Sequence, residues 1–107
     1  MALKHSSSGA VTSIRPLGVD LQSSITHTIL KAAQLEVIRI VLLAGKEMRE
    51  HRVPGEITVQ CIEGFVEFRA LEKTLLLKAG DLVHLESNEV HALKAIESSS
   101  ILLTIRL

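Results

Sequence analysis

Apolar and polar residues alternate with period two along most of this chain and almost nowhere with the 3.6-residue period of an amphipathic helix. From Ser23 the pattern opens with Ile25, His27 and Ile29. It continues as Leu35, Val37, Arg39 and Val41 interleaved with Glu36, Ile38, Ile40 and Leu42. The second run is β-branched and apolar on both parities, as a strand covered on both faces is. Between the two runs, residues 31–34 predict a turn.

Further on, short runs at 57–62, 65–70, 74–77, 82–85, 91–96 and 101–107 are separated by Pro54-Gly55, Gly64, Glu72-Lys73, 78–81, 87–89 and Ser98-Ser99-Ser100, all turn-type sequences. Many short strands at spacings of roughly 8–12 residues predict an all-β fold with very little helix, a small antiparallel double-stranded β-barrel of two facing sheets. Within 65–70, Phe65, Glu67 and Arg69 share one face and Val66, Phe68 and Ala70 the other, so that strand has a wet side and a dry side. Residues 37–43 and 101–107 are apolar beyond what one core requires. This predicts that an outer face packs on a second copy in a homodimer. Residues 1–22 predict a flexible N-terminal arm ahead of a barrel domain at 23–107.

Composition narrows the function classes. A chain of 107 residues holds one domain, which buries roughly 65% of its unfolded surface. Lys+Arg and Asp+Glu are 12 each and aromatic residues are 2%. There is neither a basic field nor a stacking platform for nucleic acid, so no nucleic-acid partner is expected. No apolar stretch approaches the roughly 20 residues of a membrane span. Cys61 is the only cysteine, so an internal disulfide is impossible and a reducing compartment, the cytoplasm, is expected.

Two segments carry the candidate chemistry: 45–64, GKEMREHRVPGEITVQCIEG, and 80–95, GDLVHLESNEVHALKA. Together they resemble the two motifs of the cupin superfamily, the RmlC-like small barrels. In the first motif Gly45, His51 and Gly64 stand at the family's spacing, with Val53 in place of a second His and Ile57 in place of a Glu. In the second, Gly80 and His91 fit, while Glu86 replaces a Pro, Asn88 a Gly and Ala95 an Asn. Asn88 is a sensible stand-in, because Asn tolerates the positive φ of a tight turn. Gly64 and Gly80 are expected where hairpins reverse.

The resemblance implies a divalent metal, zinc, nickel, iron or manganese, held in the barrel by His51 and His91. With two of four ligand positions apolar, the ion would be weakly held. Strand parity offers three further ligands: Gln60 or Glu56, if a bulge near Pro54-Gly55 shifts the register, and Cys61 if it does not. His84 is expected on the outer face, and His27 and His5 away from the site. Val53 and Ile57 beside His51 make a half-apolar pocket suited to a small-molecule ligand. Two readings follow. One is a small ligand-binding barrel with a sensing or accessory role. The other is a metal-dependent dioxygenase or isomerase acting on a small organic acid or carbonyl compound.

Overall fold

The computed structural model describes residues 5–107. Among these residues, after a 3-10 helix at Gly18–Ser23, all regular structure is strand: β1 His27–Lys31, β2 Leu35–Leu42, β3 Glu47–His51, β4 Ile57–Ala70, β5 Lys73–Lys78, β6 Leu82–Leu85 and β7 His91–Arg106. Every pairing is antiparallel, so the all-β antiparallel expectation holds.

Two long strands organise the molecule. β7 pairs with β4 along nearly its whole length; on its other edge it takes β3 through Lys94 and Leu93, and β2 from Ser99 onward. β4 in turn takes β6 beside Ile57–Gln60 and β5 beside Phe65–Ala70. The sheet therefore consists of two halves, β1-β2-β7-β4-β6 and β3-β7-β4-β5, that share β4 and β7. Register shifts between Cys61 and Val66 mark where the shared strands bend, as bulges bend strands. Bending brings the inner faces together. Ile40, Val59, Cys61, Ile101 and Leu103 from one half and Val66, Phe68, Leu77, Leu93 and Ala95 from the other form one buried cluster.

Gly64 and Ser98–Ser100 lie at this bend, which corrects the expectation that the chain reverses there. Both β4 and β7 run straight through. Gly64 adopts φ +94, and a Cβ on it would run into Ser99 Oγ and the Ser98 carbonyl. The serines serve as the bend's own hydrogen-bond partners: Phe65 N donates to Ser99 Oγ at 3.0 Å and that hydroxyl donates to Glu97 O at 2.7 Å. Ser99 and Ser100 are fully buried. The expected turns elsewhere are present, and Asn88 takes the left-handed conformation with φ +64.

The stretch read as an arm, apart from residues 1–4, which lie outside the described residues, is laid against the sheet. Arg39, nearly fully buried, donates from Nη1 to Arg15 O at 3.0 Å and from Nη2 to Ser13 O at 3.4 Å. The Glu63 carboxylate accepts from Leu17 N at 2.7 Å and Gly18 N at 3.0 Å, and from the Ser100 hydroxyl. Leu21 of the 3-10 helix is buried. Residues 13–23 form a strap whose first half, residues 13–18, is held by one polar node of Arg39 and Glu63. Among the described residues no helix is long and apolar enough to cross a membrane.

Candidate functional site

His51 and His91 are directly opposite each other on β3 and β7. Met48 and His51 are an odd number of residues apart and would point to opposite faces of a regular strand. The register shift between them turns His51 back to the inner face, next to His91, while Met48 also packs on the core. The two rings lie with centroids 4.3 Å apart, tilted by 58°. Phe68 lies nearly parallel to the His91 ring, 6.0 Å away and at 17°.

The hydrogen bonds fix the tautomers. His51 Nδ1 is 2.9 Å from Arg49 O and His91 Nδ1 is 3.1 Å from Glu89 O. A carbonyl oxygen only accepts, so each Nδ1 carries the proton and each Nε2 keeps its lone pair. Two adjacent imidazoles with free Nε2 atoms are the donor set that a divalent ion takes, oriented by backbone carbonyls as metal-binding histidines usually are. Burial pushes the His91 imidazole below the ordinary His value. The Glu89 carbonyl opposes the shift and the neighbouring His51 adds to it, so His91 keeps its lone pair into more acidic solution than a free imidazole.

The other candidates are placed elsewhere. On β4 the residues Ile57, Val59 and Cys61 are buried in the core, so Gln60 has the outward parity. Gln60 lies half-buried on the outer face, opposite Leu82 and Leu102. Glu56 is a rim carboxylate, exposed and 2.8 Å from His84 Nε2, and His84 is on the outer face as expected. Cys61 is on the core face, opposite Ile101, while His91 is opposite Ala70 at the other end of β4. Its thiol is pushed up by burial, and further by the nearby Asp81 charge, so it is a buried packing group and no thiolate ligand. Val53 and Ile57, where the resemblance has ligands, pack with the core. Among the described residues no group of three or more His, Cys, Asp or Glu gathers as a metal site. The residues present thus suit a two-imidazole site whose remaining positions go to water or ligand, and do not suit a facial set with a protein carboxylate.

A cleft of about 450 Å³ reaches the pair at His91 and is lined also by Ala70, by Leu71 and Glu72 of the β4–β5 turn, and by Val90. Solved structures with this architecture are numerous. A cupin superfamily protein from Desulfitobacterium hafniense superposes with a TM-score of 0.77 at 12% identity, over 91% of this chain and 94% of that one. The chain has the cupin fold. An RmlC-like cupin from Desulfovibrio desulfuricans gives 0.73 at 18% identity over 91% and 94%. A conserved protein of unknown function from Streptococcus pyogenes gives 0.75 at 20% over 99% and 96%. No protein-family model and no curated protein matches the sequence. Within the cupin fold the His pair stands on the inner face at the mouth of the β3-β7-β4-β5 half.

The strap node of Arg39, Glu63 and Ser100 is absent from the sequence reading. Its one sequence signal is Arg39, the only charge between Val37 and Leu43 in an otherwise apolar run.

Proposed function

We propose that the protein binds a small ligand at the mouth beside His51 and His91, and that the two Nε2 atoms hold one weakly bound divalent ion of the zinc or nickel kind. A sensing or accessory role in the cytoplasm, where the buried free thiol of Cys61 stays reduced, suits a site with so few protein ligands. The observation that carries the reading is the shared tautomer: both Nδ1 atoms are engaged by backbone carbonyls and both Nε2 lone pairs are free. The ion, when bound, supplies a Lewis acid that polarises an oxygen of the ligand. His51 and His91 would hold the ion through Nε2, and Ala70, Leu71 and Val90 give the cleft an apolar side for the body of the ligand.

Calorimetric titration of metal-free protein with zinc and nickel tests this. One ion per chain is expected, with either His51→Ala or His91→Ala weakening binding by about 10- to 100-fold or more, and with His84→Ala, on the outer face, unchanged. Uptake is expected to fall as pH drops and the imidazoles protonate. Absence of uptake by the wild type, or equal uptake by all variants, overturns the metal reading.

We also propose a homodimer through the outer face of the β1-β2-β7-β4-β6 half. There Leu102 of β7 and Leu82 of β6 flank Gln60 in one cross-strand row, and Leu82 is 60% exposed. Light scattering should return twice the chain mass for wild type and the single-chain mass for Leu82→Glu. A monomeric wild type, or a dimeric Leu82→Glu, removes the proposal.

A further inference from the structure

We infer that the hairpin turn Leu71-Glu72 is a lip that grips the apolar body of a small carboxylate ligand, whose carboxylate group is bound by Lys73. This rests on the reading that the mouth beside His51 and His91 is a binding site, and names the class of ligand it takes.

The backbone supplies the first observation. β4 ends at Ala70 and β5 starts at Lys73, so Leu71 and Glu72 are the two central residues of a tight hairpin. Both have positive φ, +53 and +61. This is the geometry that Asn-Gly or Asp-Gly adopts with least strain, and a γ-branched apolar side chain and a Glu at these positions work against the turn. Nothing in the core compensates, because Leu71 is 58% exposed. It instead lines the cleft, together with Val90 and His91. Strained residues retained where they do not pack are characteristic of ligand-gripping segments.

The ladder supplies the second. His51 is opposite His91, His91 is opposite Ala70, and Ala70 is opposite Lys73. Residues directly opposite share a face, so these four form one inward row across four strands. Lys73 is about 10 Å from His91, two strand spacings away. Between them Ala70 contributes only a methyl group, which leaves a gap that a lysine side chain and a short ligand together span. Glu50, Glu72 and Glu89 also edge the cleft, against Arg69 and Lys73. Arg69 is on the other parity of β4, opposite Thr74. Lys73 is therefore the one cation in the inward row, and an anion entering past three carboxylates depends on it.

Hexanoate and 1-hexanol, matched in apolar length, are the probes. On isotope-labelled, metal-free protein, hexanoate at about 10 mM, enough to populate a millimolar site, should shift the amides of residues 70–73 and 91. Hexanol should bind about fivefold more weakly, the size of one exposed charge contact. Lys73→Gln should erase that preference. The double variant Leu71→Asn with Glu72→Gly should melt about 5 °C higher yet bind both probes about tenfold more weakly, since it removes the strain together with the apolar grip. The inference is overturned if hexanoate moves none of these amides, if Lys73→Gln keeps the preference, or if the double variant binds as wild type does. Zinc titration of the same variants separates the two readings. Zinc uptake without hexanoate binding removes the lip alone. A hexanoate preference dependent on Lys73 in a protein that takes no zinc supports the lip and removes only the metal.

Discussion

Gly64→Ala is expected to cost about 2–5 kcal/mol out of a total stability of roughly 5–15, enough to unfold a chain at the low end of that range. Two costs add. At φ +94 any residue with a Cβ is strained by about 1–2 kcal/mol. The new methyl would also meet Ser99 Oγ and the Ser98 carbonyl. Backbone cannot move aside without opening the β4–β7 ladder, so forcing a group in adds about 1–3 kcal/mol. Urea unfolding followed by circular dichroism measures the loss. Gly80→Ala is the control, because its φ is also +94 but a Cβ there meets nothing within 4 Å; only the first cost should be seen. If the two variants prove equally stable, the tight crossing at the bend is wrong.

The second large effect is expected at Glu63. Its carboxylate is the shared acceptor for Leu17 N, Gly18 N and the Ser100 hydroxyl, beside the buried Arg39 guanidinium. In Glu63→Ala these donors lose their partner and the Arg39 charge is left without its counter-charge, at a cost of about 2–4 kcal/mol. The strap should lift, and chymotrypsin should cut after Leu17 and Leu21 about tenfold faster, since local opening governs cleavage of an ordered segment. Glu63→Gln, which keeps one acceptor oxygen, should lie between. Burial acts to raise the Glu63 value, but the bonds from Ser100, Leu17 and Gly18 and the Arg39 charge outweigh it and hold it below the ordinary 4.5. A carboxyl depressed by folding stabilises the protein above its unfolded value and loses that contribution as pH falls through the folded one. The wild-type strap is therefore expected to lift on acidification below about 4.5, read as lost hydrogen-exchange protection of the Leu17 and Gly18 amides, and Glu63→Ala to show no such transition. An unchanged cleavage rate in Glu63→Ala would mean that the strap is held elsewhere.

The strands were legible because alternation alone separates a dry face from a wet one: Val66 and Phe68 are buried, and Arg69 is exposed. The outward aim of His84 followed from the same parity, and the left-handed turn at Asn88 from the side chain that tolerates it. The bend was not legible. A glycine with positive φ looks the same in sequence whether the chain reverses or only kinks, and three serines look like a loop until a neighbouring strand supplies backbone groups for them to bond. At the site, the spacing marked His51 and His91, but only the irregularity after Met48 makes them neighbours, and no residue type announces a bulge. Gln60 as a ligand depended on a shifted parity, whereas Ile57, Val59 and Cys61 take the core face of β4. Glu72-Lys73 read as an ordinary polar break, whereas the turn falls one residue earlier on Leu71-Glu72; strain is a property of backbone angles, and Leu carries no signal of it.

The sharing of β4 and β7 between both half-sheets also fixes the order in which this chain can assemble. β2, β3 and β4 all find their main partner in β7, so the early hairpins have nothing to dock on until the last strand arrives. The fold is built from sequence-distant contacts, and such topologies close slowly, in milliseconds to seconds, because loop entropy is lost before the contacts form. Until then the apolar run of β2 waits with an unpaired edge. During synthesis this is the segment that a chaperone, or another copy of the chain, would meet first.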